Sequence, residues 1–427
     1  MPGKAVIFEP GPLRGSVSVP GDKSISHRAL IAGAAGGAPL RVANLNPGRD
    51  VRATRDALVL LGVRIDSDGG DAVVYPSRLT DLGVILDCMN SGSTARMLLG
   101  ACAGAGIHAR FDGDASLRGR PMEPVAAQLR AFGARIDTTC GRLPLELRGT
   151  PEIQTRRFLL LSPSAQVKSA LLFAGLFADV AVSVENDRGS RDHTERLLRH
   201  LGAEIEWSPR SVALSAGAID GGRVDVVGDF SAAAFFIAAA AMTPASALTV
   251  RGVGVNPTRT GLLDALRSMG ASIELRDARE TSGEPVADLV VEGRALRATS
   301  IGPQTALRAI DEVPLIAAAA ASAAGITTIS GIEDLRSKES DRIAATERLL
   351  QAVGVAATYE RGTLAIVGGA PRSRGGILDT GGDHRIAMAA ASLAAVAGPL
   401  AIDGDESLDV SFPGFPAALQ GLRSLRG

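Results

Sequence analysis

Apolar residues along this chain recur in two alternating helical patterns. One is Ala-rich and apolar almost all round, as in Ala29 to Ala35 or Ala232 to Met242, and reads as a buried helix. The other carries a single Leu or Met stripe, ends in Gly and runs into a strand. Copies of that ending are Leu61-Gly62-Val63, Phe132-Gly133-Ala134, Leu201-Gly202-Ala203 and Met269-Gly270-Ala271, with a weaker one at Val353-Gly354-Val355. The glycines fall 71, 69, 68 and 84 residues apart. The Ala-rich helices begin near Lys23, Ser93, Ser164, Ser231, Asp311 and Asp383, spaced 70, 71, 67, 80 and 72. Such a period marks a repeated supersecondary unit. The pattern predicts six mixed βαβ units, with short strands such as Leu145 to Arg148 and Val224 to Val227, and the final helix Ala417 to Arg426 completes the sixth. Arg276 to Pro285 and Ala370 to Gly376 read as surface loops.

Six units in 427 residues divide into two domains of three, an α/β architecture. The expected division assigns 1–19 and 228–427 to one discontinuous domain and 20–227 to the other. The N-terminal strand up to Val19 is expected to pack with the C-terminal half, which leaves crossovers near Pro20 and Gly228.

Composition narrows the function. A net charge of −1 and 3% aromatic residues argue against a nucleic-acid surface. No run of about 18 strongly apolar residues offers a membrane span. Three cysteines without a CxxC pair indicate neither a disulfide framework nor a zinc site. The expected setting is therefore the cytoplasm, with no signal peptide read at Met1 to Phe8. Any anion site must be local, and the candidates stand at the helix starts, where unpaired N–H groups and the helix dipole favour phosphate and carboxylate. Pro20-Gly21-Asp22-Lys23-Ser24 leads the first buried helix, with Arg28 one turn on. Asn90-Ser91-Gly92-Ser93 leads the second, Ser162-Pro163-Ser164-Ala165-Gln166 the third, Ile310-Asp311-Glu312 the fifth and Gly381-Gly382-Asp383-His384-Arg385 the sixth. Three loops add cations: Leu117 to Met122 with Arg118 and Arg120, Ser190-Arg191-Asp192-His193, and Leu335 to Arg342, where Lys338 and Arg342 are read as sharing a helix face.

Ten of these stretches, in order from Pro20 to Phe415, resemble the enolpyruvyl transferases, and within them the family of 5-enolpyruvylshikimate-3-phosphate (EPSP) synthases. They are PGDKSISHR, NSG at Asn90, LRGRPM, SAQVKSA, SRDHTE, NPTRTG at Asn256, IDEVP, RSKESDR, DHRIAM and SFPGF at Ser411. The resemblance implies a two-domain inside-out α/β barrel of six βαβαββ repeats, three per domain, with helix N-termini facing a cleft that holds the active site. It also implies transfer of the enolpyruvyl group of phosphoenolpyruvate to the 5-hydroxyl of shikimate 3-phosphate through a tetrahedral intermediate, in a monomer, with no cofactor, no metal and no covalent adduct. By motif position, shikimate 3-phosphate would meet Lys23, Ser24, Arg28, Ser164, Ala165, Gln166, Ser190, Arg191, Asp311 and Lys338. Phosphoenolpyruvate would meet Lys23, Gly92, Arg120, Gln166, Lys338, Arg342 and Arg385. The catalytic residues implied are Asp311 as base for the attacking hydroxyl, Glu339 as acid at the methylene carbon, and Lys23 at the leaving phosphate.

Departures from the family pattern are Ser93 for a Thr, His193 for a Tyr and Val410 for a Lys. Gly92, where an Ala accompanies tolerance in related enzymes, predicts sensitivity to the inhibitor glyphosate, whereas SAQVKSA with SRDHTE leans toward the subclass that includes tolerant enzymes. The sister family acting on UDP-N-acetylglucosamine uses a Cys in the loop before its Arg-Pro pair, and Gly113 to Pro121 holds none. A non-catalytic polyanion or nucleotide binder on the same repeat is the alternative from another class.

Overall fold

The chain is described here by a computed structural model, over residues 5–81, 83–149, 153–403, 408 and 412–424. Two compact units emerge. The first comprises Met1–Pro20, Val227–Arg279 and Pro285–Gly427, and the second Gly21–Val226 with Glu280–Glu284.

The predicted buried helices form as α1 (Lys23–Ala35), α2 (Gly92–Gly104), α3 (Ala165–Ala178), α4 (Phe230–Met242), α5 (Val313–Ser322) and α6 (His384–Ala397). Side-chain oxygens of Asp22, Ser91, Ser164, Asp229 and Asp383 cap the N-termini of all but α5, each accepting a bond from a first-turn N–H. Every residue of α4 is buried. The glycines that close the amphipathic helices adopt left-handed backbone, with φ of 88° at Gly62, 111° at Gly133, 87° at Gly202, 92° at Gly270 and 77° at Gly354. A side chain would be strained in that conformation, which is why the repeat is legible from glycine spacing alone.

In the second unit each repeat makes a four-stranded sheet of one plan, a parallel pair continued by an antiparallel hairpin. Ile85–Asp87 lies parallel to Ala109–Asp112, which pairs antiparallel with Arg142–Arg148, and that with Arg135–Thr139. The third repeat does the same with Arg156–Leu159, Val182–Glu185, Ser211–Leu214 and Ile205–Ser208. The first repeat takes its leading strand from beyond the third, since Gly222–Asp225 runs parallel to Leu40–Ala43. Between the second and third repeats α2 and α3 approach so closely that a Cβ on Gly100 or Gly104 would lie 2.1 or 2.2 Å from the carbonyl oxygens of Ala170 and Ala174.

The first unit repeats the plan. Arg14–Ser18 runs parallel to Ala247–Gly254, so the N-terminal strand opens the fourth repeat. Ser300–Ile301, Gly325–Ser330, Thr363–Gly368 and Ala356–Glu360 make the fifth sheet. In the sixth, Ile377–Leu378 and Leu400–Ile402 are joined by Val6–Phe8. Helices α4, α5 and α6 fill the core with Phe8, Phe235, Phe236, Phe412 and Phe415, whose nearest rings sit 5.2 Å apart. The phenylalanines of the SFPGF stretch are thus core residues.

One expected loop is instead a hairpin. Ser272–Thr281 and Glu284–Glu292 are strands across Arg276 to Pro285. The former is exposed along most of its length, so its charged sequence carries no apolar alternation to announce it.

Candidate active site

In the second unit the starts of α1, α2 and α3 carry the candidate residues. Asp22 accepts from the N–H of Ile25 at 2.9 Å, and Lys23 follows at the first helical position. Its ammonium lies 2.8 Å from the carboxylate of Asp50, at the start of the helix Arg49–Leu60. Arg28 is buried and oriented on three sides, donating to the Ser24 carbonyl at 2.8 Å, the Thr194 hydroxyl at 2.7 Å and the Ser169 hydroxyl at 2.9 Å. Burial pulls its guanidinium down to about 10, against the opposing field of Glu195.

Gln166, one residue past the first turn residue Ala165, is fixed at both ends of its amide. Its oxygen accepts from Arg96 at 2.7 Å and its nitrogen donates to Ser93 at 2.9 Å. Gly92 opens α2 between two guanidinium groups, and a Cβ there would fall 2.5 Å from Arg96 and 3.6 Å from Arg120. Arg120 in turn bonds Asn90 and Ser116. Ser164 serves as cap of α3. The Ser190 hydroxyl is buried with no protein partner among the described residues, beside Arg191. His193 shares a 2.7 Å hydrogen bond with buried Glu284.

In the first unit a second constellation forms on α5, α6 and the helix Arg342–Ala352. Arg342 is only 1% exposed and faces three carboxylates. It donates to Asp383 at 2.8 Å, to Asp311 at 3.4 Å and to Glu339. Desolvation acts to lower the pKa of this buried cation, but the fields of Glu339, Asp383 and Asp311 outweigh it and hold the guanidinium above its ordinary value. Asp383 is pulled below the usual carboxylate range, because Arg342 beside it overcomes the opposing cost of burial. Arg385 reaches the Asp311 carbonyl at 3.2 Å and Glu312 at 3.3 Å. Glu312, fully buried, also accepts from Ser231 and lies 3.7 Å from Arg259.

One correction to the sequence reading follows. Lys338 and Arg342 do not share a helix face: Asp341 caps the helix by accepting from the N–H groups of Ile343 and Ala344, so Arg342 is its first residue and Lys338 precedes it in extended backbone. Lys23, Arg342 and Arg385 each face a carboxylate. Val410 lies outside the described residues. The partners that sequence reasoning missed are Asp50, Arg96, Glu312 and Arg259. Arg96, Glu312 and Arg259 sit inside or beside a quoted motif and Asp50 sits in none, and nothing in one sequence reveals which acid faces which base.

Residues 7–419 match the family model of EPSP synthase (3-phosphoshikimate 1-carboxyvinyltransferase). The chain belongs to the EPSP synthase family. Among its relatives, the 3-phosphoshikimate 1-carboxyvinyltransferase of Anaeromyxobacter sp. (strain K) is 46% identical over 95% of this chain and 93% of its own. That of Geobacter sulfurreducens is 44% identical over 95% and 96%. Among solved structures, EPSP synthase from Acinetobacter baumannii superposes with a TM-score of 0.87 at 35% identity, covering 98% of each chain. The enolpyruvyl transferase NikO from Streptomyces tendae shares the fold, with a TM-score of 0.77 at 19% identity over 99% of this chain and 98% of its own. Among the described residues no group of His, Cys, Asp and Glu is arranged to hold a metal ion, and no helix is long and apolar enough to cross a membrane.

Proposed function

We propose that this chain transfers the enolpyruvyl group of phosphoenolpyruvate to the 5-hydroxyl of shikimate 3-phosphate, releasing phosphate, by addition and elimination. Family membership over nearly the whole chain supports the reaction. The observation that carries the mechanism is the grouping of Asp311 and Glu339 within ion-pair distance of Arg342, with Arg385 3.7 Å from the Asp311 carboxylate. Both substrates are multiply charged anions, so binding calls for many donors, and the transition state calls for preorganised charge more than for a nucleophile.

In this reading Lys23, Ser24, Arg28, Ser164, Ala165, Gln166, Ser190, Arg191, Asp311 and Lys338 hold shikimate 3-phosphate. Lys23, Gly92, Arg120, Gln166, Lys338, Arg342 and Arg385 hold phosphoenolpyruvate. Asp311 takes the proton of the 5-hydroxyl as its oxygen bonds to C2 of phosphoenolpyruvate, while Glu339 gives a proton to C3, making a methyl group. Elimination breaks the C2–O bond to phosphate, with Lys23 meeting the departing oxygen, and returns one methyl proton to Glu339. To act as an acid Glu339 must exchange its contact with Arg342 for a proton. The substrate phosphate and carboxylate compete for that same guanidinium and supply the reason.

The reading also places the enzyme in the cytoplasm as a monomer. Three free thiols, one of them the exposed Cys140, suit a reducing compartment. Phosphate release from phosphoenolpyruvate tests the function, run with shikimate 3-phosphate, with UDP-N-acetylglucosamine, and with an Asp311→Ala control. Release with the shikimate ester alone, lost in the control, is expected. Release with the nucleotide sugar, or with neither acceptor, would refute it.

A further inference from the structure

The stretches SAQVKSA and SRDHTE contribute Ser164, Ala165, Gln166, Ser190 and Arg191 to the proposed site, yet leave Lys168 and Glu195 without a task. The structure joins these two. Lys168, on α3, is 1% exposed, and its ammonium lies 2.6 Å from Glu195 and 2.7 Å from Asp187, carboxylates that are themselves 1% and 4% exposed. They flank Ser190 and Arg191, Asp187 three residues before the serine and Glu195 four residues after the arginine.

The backbone on either side of Asp187 does not favour its own conformation. Asn186, Arg188 and Gly189 are left-handed, with φ of 60°, 53° and 83°, and for the two non-glycine residues that region is disfavoured unless surrounding contacts impose it. The bonds from Asp187 N–H to the Arg210 carbonyl and from Gly189 N–H to the Pro209 carbonyl hold one side. Lys168 holds the other, and three N–H donors on one ammonium let it reach both flanks at once.

A second contact lies directly beside this one. Ser169 and Thr194, the neighbours of Lys168 and Glu195 in sequence, share a 2.6 Å hydrogen bond, and both accept from Arg28. The pairs Lys168–Glu195 and Ser169–Thr194 therefore form two rungs between α3 and the helix His193–His200, with Arg28 seated on the second. Burying a charged rung costs desolvation that an apolar pair would not incur, which argues that its geometry is what matters here.

We propose that Lys168 is a positioning residue for shikimate 3-phosphate, fixing Ser190 and Arg191 through Asp187 and Glu195 and aligning Arg28 through the adjoining rung. The assignment rests on the functional reading given above. Lys168 touches no substrate in this account. Its effect falls mainly on the acceptor, because of the phosphoenolpyruvate contacts only Gln166 shares α3, its amide held separately by Arg96 and Ser93, while Gly92 and Arg120 lie on the start of α2 and the loop before Pro121.

The test is steady-state kinetics with both substrates varied, on the wild-type chain, K168M, E195Q and K168M/D187N/E195Q, each checked by circular dichroism and thermal melting. K168M raises the KM for shikimate 3-phosphate about tenfold and that for phosphoenolpyruvate less than about twofold. E195Q, which keeps an oxygen acceptor for Lys168, raises the former less than about threefold. The triple variant removes the stranded buried carboxylates, so it regains melting temperature lost in K168M but not the KM. Should K168M not fold, E195Q and the triple variant decide. A purely structural role would move both KM values together, or restore KM along with stability in the triple variant, and either result overturns the proposal. Wild-type activity with an unchanged acceptor KM in the variants overturns the positioning role alone. A wild-type chain inactive with both substrates overturns the functional reading and this one with it.

Discussion

Replacing Arg342 by Met keeps the unbranched stem of a side chain only 1% exposed, but removes the single guanidinium that faces Asp311, Glu339 and Asp383. Asp383, with no exposed side-chain surface, is left as a buried carboxylate without its strongest partner. Breaking a buried pair from one side costs about 3–5 kcal/mol. For a unit of roughly 200 residues each kcal/mol moves the melting temperature by about 2–4 °C, so a fall of roughly 6–20 °C is expected by calorimetry. The companion R342M/D383N separates charge from packing, because Asn still caps α6 while the stranded charge is gone. It melts above R342M. The pH dependence follows in sign: Asp383 titrates below its unfolded value when folded, so its contribution is complete above about pH 4 and is lost as pH falls through the lower folded value. In R342M that contribution is missing and acid unfolding begins at higher pH. A single variant melting within about 2 °C of wild type, or a double variant no more stable than the single, would refute the reasoning.

His27 is buried against Thr54 at 2.7 Å, and burial pushes its imidazole down to about 3. The unfolded chain therefore binds the extra proton first, and wild-type stability rises with pH between about 3 and 6.5 by about 1.4 kcal/mol per unit from this group. Urea unfolding of His27→Gln across that range should show a shallower slope, and an identical slope would contradict the burial argument. Gly92→Ala places a methyl 2.5 Å from Arg96, displacing the guanidinium that holds Gln166, and a KM for phosphoenolpyruvate raised about tenfold is expected. The same reasoning makes the wild-type chain sensitive to glyphosate and the variant less so; an inhibition curve flat to millimolar inhibitor in the wild type would contradict it.

Much of this architecture is written locally. Glycines at 62, 133, 202, 270 and 354 mark helix ends because left-handed backbone excludes most other residues, and the Ala-rich helices advertise burial on every side. Asp22, Ser91, Ser164 and Asp383 stand where caps are needed. What stayed hidden depends on pairs distant in sequence. Nothing near Lys23 names Asp50 as its partner, and nothing near Arg342 reveals that Asp311 and Asp383 converge on it from 31 and 41 residues away. The strand Ser272–Thr281 was illegible for the opposite reason, since an exposed strand needs no apolar pattern. The charge run at Lys338 misled because one cap, Asp341, decides where the helix begins.

The chemistry itself leaves a label that binding or fold alone cannot produce. If addition makes a methyl group at C3 and elimination takes one of its protons back, the reaction run in deuterium oxide must place deuterium in the methylene group of the product and, through intermediate that reverts by expelling the acceptor, of recovered phosphoenolpyruvate. Proton NMR of the enolpyruvyl methylene signals after partial turnover with shikimate 3-phosphate reads this directly. The account predicts deuterium in both, lost when Glu339 is changed to Gln. Product with a fully protiated methylene group, or labelling that survives Glu339→Gln, would contradict the addition–elimination mechanism and the role given to Glu339.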